Sequence, residues 1–425
     1  MLNRTNAWLW IPSLYFASGL PYHAITSISD IMYKDMGIDN ASIAFYTSIL
    51  LIPWTIKPLW SPFVEMISTR RKWTLYSQFA LAVCFAGVAL AIPSAHFLIL
   101  TLAAFMTAAF VSSTHDIALD GFYILALPQE KQSFFSGIRN TAYRIATVFS
   151  SGVLVMLANW LSHKSGSNSL AWSATFITTA AIMGTLYLYH KKALPKPEKD
   201  ISRSPESIGG IFNNFGDIIK TYFQKPGILT AIIFLLFFRF PEAQLGKIGK
   251  LFLMDEVTAG GLALNIGDIG FINGVVGIVG LIAGGIAGGI CISRNGLKYW
   301  LWPMVIAISL PDIVYVYMSM ADSSSLTVIG SCIFIEQLGY GFGFTAYTLY
   351  MIYFAQGKYP TAHFAISTAF MSLGMMLPGM LSGKIQEWLG YKNFFIWVMA
   401  CTTITFIVSA LIKIDPNFGR KQKKA

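Results

Sequence analysis

The chain has 425 residues, of which 55% are hydrophobic and only 12% are Asp, Glu, Lys or Arg. A soluble domain carries roughly a quarter charged residues, so this chain lacks the means to clothe a water-facing surface of its size. The net charge of +10 lies in short connections between apolar runs, without the aromatic–basic interleaving that binds single strands, and nucleic acid is excluded as a partner.

Apolar runs of about 20 residues, each long enough to cross a bilayer as a helix, recur along the whole chain. In order they cover 8–29, 42–67, 73–93, 97–119, 134–160 and 172–189, then 228–254, 266–292, 300–318, 324–354, 362–384 and 394–412. The first begins after the single basic residue Arg4 and continues past Pro12, which predicts a retained span rather than a cleaved leader. The expected fold class is therefore all-α: a polytopic membrane protein of twelve transmembrane helices. Residues 1–190 form one six-helix bundle, 227–413 a second, and 414–425 a basic tail. The connection 191–226 opens with Lys191 and Lys192 and passes through the polar run 201–206. Apolar residues at helical spacing over 211–223 then predict an amphipathic helix on the membrane face. With both ends on one side, roughly 20 of the 30 Lys and Arg residues fall on that side. The opposite side holds Lys34, Lys164, Lys384 and Lys392, so both termini are expected in the cytoplasm.

A charge at the bilayer centre costs at least a few kcal/mol, so charges inside the runs mark places where something polar is handled. In the second run Lys57 sits among Pro53, Pro58 and Pro62, a kinked helix. In the fourth, Asp116 and Asp120 are four apart and share a helical face, with His115 adjacent, the makings of a proton relay. In the fifth, Arg144 lies deeper than Arg139; it can pair with Asp116 or meet an anionic solute. The seventh carries Arg239, Pro241, Glu242, Gly246, Lys247, Gly249 and Lys250. Pro and Gly break that helix where a cavity tolerates it, Arg239 and Glu242 are spaced to pair, and the alternative is a span that ends early and leaves both lysines in solvent. In the tenth, Glu336 and Gln337 precede Gly339, Gly341 and Gly343, and Tyr347 either lines a cavity or packs. Proton coupling or gating thus falls to Asp116, Asp120, Glu242 and Glu336. Solute contact or charge pairing falls to Lys57, Arg144, Arg239, Lys247, Gln337 and Tyr347. Cys84, Cys291, Cys332 and Cys401 form neither a disulfide framework nor a metal motif, no cofactor is expected, and no Walker A loop, Ser/His/Asp set or HExxH signals an enzyme.

At these motifs the chain resembles the muropeptide permease family of the major facilitator superfamily, a group that also holds acetyl-CoA transporters. Phe16 to Pro21 is similar to the family's first-span motif, and Lys57 to Pro62 to that of its second, with Pro58 where an aromatic is common. Asp116 through Leu127 and Pro128 resembles the acidic motif, Tyr143 and Arg144 the next one, and Glu336 the tenth-span glutamate. Arg239 to Ala243 resembles Lys-Leu-Gly-Asp-Ala with both charges kept. Gly121 to Leu125 departs from the family's Ala-Trp-Lys-Thr-Asp, and Lys247 to Lys250 is more basic than usual. The resemblance implies two six-helix halves in the bacterial inner membrane and import of anhydro-muropeptides in symport with protons. Membrane lipids, protons and a polar or anionic solute are then the partners, with the protein acting as a monomer. Import of a siderophore or other anionic cofactor-like solute is the alternative cargo, and a non-transporting membrane sensor the alternative class.

Overall fold

A computed structural model describes residues 6–127, 129–198, 200, 208–321 and 325–420. The polar run 201–206, Pro128 of the acidic motif and the tail residues Lys421, Lys423 and Lys424 lie outside the described residues. Among the described residues there are helices and no strands, as hydrocarbon requires of a chain that must satisfy its backbone polar groups within each segment.

The first span is Ile11–His23, continued through a π-turn at Ala24–Ile28 into Ser29–Asp35. The next five are Asn40–Ser61, Arg70–Ala91, Phe97–Ala126, Thr141–Ser165 and Asn168–Ala193. After the connection come Ile228–Met254, Ile266–Asn295, Leu297–Met320 and Leu326–Ala355. The last two spans share one helix, Pro360–Leu411, interrupted at Gly390 (φ 70°), a left-handed conformation that glycine adopts without steric cost. The stretch 385–393, a loop by hydropathy, is thus helical except at that glycine. The fourth span runs past the expected end at 119, because Phe122 and Tyr123 bury against Trp10 and Tyr15 with ring centroids 5.5 and 5.9 Å apart.

The helices form two compact units. One takes residues up to Gly37 together with Ile56–Phe215; the other takes Ile38–Thr55 and everything from Gly216 onward. In the first unit the first and fifth spans close on Gly19, where a Cβ would sit 2.8 Å from Ala146 Cβ and 3.1 Å from the Tyr143 carbonyl oxygen. In the second, the eighth span packs backbone to backbone on the tenth. A Cβ on Gly284 would lie 2.0 Å from the Leu338 carbonyl oxygen, and one on Gly341 2.1 Å from that of Leu281. Helices in lipid associate by such close approach of small residues, since lipid offers no hydrophobic drive between them. The second half of the helix Ile208–Phe223, from Gly216 onward, also belongs to this unit. Its Tyr222 is fully buried beside Phe354, His363 and Phe370, and its Asp217 accepts from Lys358 Nζ at 2.9 Å and the Tyr359 hydroxyl at 2.8 Å. On the apolar face expected to meet the membrane, Tyr222 therefore meets protein, with Ile218 and Ile219 partly buried beside it, whereas Phe223 is exposed.

Gly284→Ala forces the eighth and tenth spans apart and is expected to cost about 1–3 kcal/mol, read as a melting temperature several degrees lower for the purified protein. Gly289→Ala is the matched control, with nothing within 4 Å of its Cβ position, and an equal loss in both variants contradicts the packing argument.

Candidate functional site

In the first unit the site is built on the fourth span. Asp116 and Asp120 share its less buried side, and His115 turns inward, fully buried. Ser18 donates to Asp116 Oδ1 at 2.7 Å, so the close approach at Gly19 also sets the first-span hydroxyl that holds this carboxylate. Asp120 accepts from the Tyr15 hydroxyl at 3.1 Å and pairs with Arg139 at 3.7 Å, and its side chain is 55% exposed. Arg139 lies over the rings of Tyr15 and Tyr123, 4.9 and 5.3 Å from their centroids. An exposed pair of this kind contributes at most about 1 kcal/mol, and it braces the end of the helix.

The expected relay from Asp116 to His115 is not formed. His115 Nε2 instead lies 3.1 Å from Gln78 Nε2, Gln78 Oε1 lies 2.9 Å from His190 Nδ1, and His190 Nε2 lies 3.0 Å from Ser13 Oγ. Neighbours in a helix point about 100° apart, so the residue beside Asp116 enters the core when Asp116 does not. Tyr143, next to Arg144, is in electrostatic range of both Asp116 and Arg144. Arg144 and Lys57 are half-buried, and among the described residues neither has a hydrogen-bond or ion-pair partner.

In the second unit the seventh span breaks at Arg239 (φ −103°, ψ 21°), and Pro241 starts the next helix, Phe240–Met254. The Arg239–Glu242 pair expected from their spacing is absent, because the break removes the continuous helix that the spacing presumes. The Arg239 guanidinium lies instead over Phe344 and Tyr340, 4.8 and 5.3 Å from their centroids, and donates to the Tyr340 hydroxyl. Glu242 turns to Asp312 and Glu336. One carboxylate oxygen from each of the three lies within 4.8 Å of the others, and the residues are 6%, 1% and 4% exposed.

Each acid is placed by a local feature of sequence. Glu242 follows the Pro241 helix start. Asp312 closes the 3-10 turn Leu310–Asp312, which contains Pro311 and splits the ninth span into Leu297–Ser309 and Ile313–Met320. Glu336 is brought close by Gly339, where a Cβ would lie 2.1 Å from the Ala307 carbonyl oxygen and 2.7 Å from Pro311 Cγ. Gln337 donates to Glu336 Oε2 at 2.9 Å. Among the described residues, Glu242 Oε1 and both oxygens of Asp312 have no hydrogen-bond partner. Asp312 escapes a reading of the sequence that follows the strongest charge clusters. Its signal is there all the same: it is the sole acid in the apolar run 300–318 and follows a proline.

The remaining expected residues lie elsewhere. Lys247 Nζ donates to Thr47 Oγ1 at 2.8 Å, and Lys247 and Lys250 are both half-buried on a helix that continues to Met254. The seventh span therefore does not end early. Tyr347 is fully buried, stacked on Phe238 with centroids 5.0 Å apart, and donates to the Leu235 carbonyl oxygen at 2.6 Å. It is part of the core of its unit.

Residues 13–382 match the profile of the Major Facilitator Superfamily. A putative transporter AmpG 4 of Rickettsia felis is 26% identical over 402 residues, covering 91% of each chain. An anhydromuropeptide permease of Escherichia coli is 24% identical over 413 residues, covering 96% of this chain and 80% of its own. Among solved structures, the nucleoside transporter NupG superposes with a TM-score of 0.69 at 15% identity, covering 96% of this chain and 100% of that one. A D-xylose-proton symporter does so with 0.67 at 11% identity, covering 98% and 99%.

Gln78→Leu removes the link between two buried histidines and leaves each without its amide partner. An orphaned buried polar group costs about 1–3 kcal/mol, so a clear fall in melting temperature is expected, against little change for Asp120→Asn on the exposed pair. Equal melting of the Gln78→Leu variant and the parent protein contradicts the hydrogen-bond chain.

Proposed function

The chain belongs to the Major Facilitator Superfamily and is a multi-pass secondary transporter rather than an enzyme; we propose that it imports an anionic, cell-wall-derived solute of the anhydromuropeptide class, driven by protons. The proposed setting is the bacterial inner membrane with both termini in the cytoplasm, in keeping with the one-sided placement of Lys and Arg in the connections.

The observation that carries the coupling is the trio Glu242, Asp312 and Glu336. Three carboxylates this close and this dry do not all keep a negative charge in a low-dielectric setting, so their occupancy by protons must change with their surroundings. Because they sit on three different helices, a change in helix arrangement alters the separation of the charges and so their hold on a proton. Such linkage lets an ion gradient drive a conformational equilibrium. Lys57 and Arg144 support an anionic cargo, since half-buried cations that have no hydrogen-bond or ion-pair partner among the described residues suit a carboxylate or phosphate of the solute. Asp116, held by Ser18, sits near enough to Tyr143 and Arg144 to regulate that end of the path. The name of the Escherichia coli relative points to the muropeptide class. The departures at Gly121 to Leu125 favour, as a second reading, a differently shaped anion such as a siderophore.

Uptake of labelled anhydro-muropeptide into proteoliposomes is expected to rise with an inward proton gradient and to collapse when a protonophore removes it. Glu336→Gln is expected to abolish accumulation while sparing solute exchange across the membrane in the absence of a gradient. Arg144→Gln is expected to lower uptake by about tenfold or more, the equivalent of roughly 1.4 kcal/mol in one charged contact. Uptake indifferent to the gradient contradicts the coupling. Uptake of a siderophore in place of the muropeptide transfers the cargo to the second reading.

A further inference from the structure

The third span begins at Arg70 and the sixth ends at Ala193, and hydrogen bonds tie these two ends together. Arg71 Nη2 donates to the Lys191 carbonyl oxygen at 2.9 Å, and Arg71 Nε to that of Leu194 at 3.4 Å. Asp200 accepts from the backbone N–H of Arg70 at 2.8 Å and from that of Arg71 at 3.0 Å. The chain after the sixth span therefore folds back over the start of the third. Arg70 lies against Gly121 of the fourth span, where any Cβ would collide with its side chain. Both arginines and the aspartate thus belong to a scaffold inside the first unit.

The lysines of the same rim are placed differently. Lys72, Lys191, Lys192 and Lys196 are all exposed. The acids described in 191–200 are Glu198 and Asp200, and Asp200 is engaged with backbone. Toward the middle of each span, an apolar stripe continues from the lysines. Lys72, Tyr76 and Phe79 follow the spacing of one helical face, and Leu188 shares a face with Lys191 and Lys192. Tyr76, Phe79 and Leu188 are exposed. The two stripes are neighbours, since the Phe79 and Tyr187 rings meet with centroids 5.5 Å apart. A patch for a soluble anion has no use for exposed apolar side chains leading away from it. Clustered lysines at the end of two such stripes match an amphiphile, with an anionic headgroup at the rim and acyl chains along the helices.

We propose that this rim is a docking site for an anionic phospholipid. Its phosphate is held between Lys72 of the third span and Lys191 and Lys192 of the sixth, and its acyl chains lie along Tyr76, Phe79 and Leu188. On the orientation proposed above, the site faces the cytoplasmic leaflet, whose anionic lipids attract clusters of this kind. Arg71 and Asp200 already hold the two span ends in register, so the lipid meets a preformed surface and little ordering opposes its binding. The site uses none of the residues assigned to coupling or cargo, and its test stands apart from the transport reading.

The test is retention of phosphatidylglycerol by the purified full-length protein in detergent, read by native mass spectrometry against phosphatidylcholine with the same acyl chains. Saturable retention of phosphatidylglycerol in preference to phosphatidylcholine is expected. One lysine near the membrane surface contributes roughly a fivefold factor to binding of an anionic lipid. Lys72→Gln combined with Lys192→Gln is therefore expected to weaken retention about 25-fold, whereas Lys72→Arg combined with Lys192→Arg preserves it. Lys164→Gln, at an exposed cation on the fifth span, is expected to leave it unchanged. Melting in phosphatidylcholine, expected to match the parent protein, shows that each variant is folded. Equal retention of the two lipids by the parent protein overturns the site, as does unchanged retention in the folded Gln double variant. A loss as large in Lys164→Gln shows a diffuse effect of surface charge and also overturns it. Displacement of the lipid by soluble glycerol phosphate at equal concentration assigns the lysines to a soluble phosphate and overturns the lipid site.

Discussion

A charge inside hydrocarbon has no water to solvate it, so the protein itself must supply the compensation, at a cost of at least a few kcal/mol wherever it fails. The rest of the structure can be derived from that constraint. It forces every backbone group into helix, and it confines ionisable residues to positions where other side chains or a transported species meet them. The two units answer it differently. The first holds Asp116 with a hydroxyl and leaves Lys57 and Arg144 half-buried. The second buries three acids together and satisfies only part of their hydrogen-bonding capacity.

That burial is built by residues that disfavour regular helix. Pro241 restarts the seventh span just before Glu242, and Pro311 tightens the ninth into a 3-10 turn ending at Asp312. Gly339 lets the tenth span approach the Ala307 carbonyl and the Pro311 ring, which brings Glu336 level with that turn. Each break removes helical hydrogen bonds, a loss that a purely structural helix bundle has no reason to accept. The glycine row on the eighth span does the opposite work, pressing it against the tenth over a long contact and stiffening one wall of the same unit.

Much of this was legible in the order of residues. Apolar runs located the spans, and rarity of charge singled out Glu242 and Glu336. Helix ends were legible only where a polar residue coincided with them. The fourth span runs to Ala126 because Phe122 and Tyr123 find aromatic partners on the first span, and no local pattern records a partner a hundred residues away. The Arg239–Glu242 spacing misled for a physical reason already visible: spacing arguments assume an unbroken helix, and Pro241 lies between the two. His115 and Tyr347 were drawn toward function by their chemistry, yet each fills a buried slot, where the Tyr347 hydroxyl and His115 Nε2 find hydrogen-bond partners. Asp312 stayed hidden because a single acid in a strongly apolar run carries little weight until the fold sets two glutamates beside it.

A fully satisfied acid cluster would be a staple, indifferent to the ions around it. Leaving oxygens of Asp312 and Glu242 without donors among the described residues keeps the cluster responsive, because any species that neutralises it gains the whole of the missing compensation. A ligand shifts a conformational equilibrium only by its difference in affinity between two states, about 1.4 kcal/mol for each tenfold. Glu242 and Asp312 both adjoin helix breaks, and small rotations at those breaks change the oxygen separations on which affinity for a proton depends. Glu336, on an unbroken helix locked by glycine contacts, supplies the fixed point against which that change is felt. In the proposed mechanism, then, the irregular turns act as the transducer: they convert occupancy of a buried charge into a preference for one helix arrangement over another.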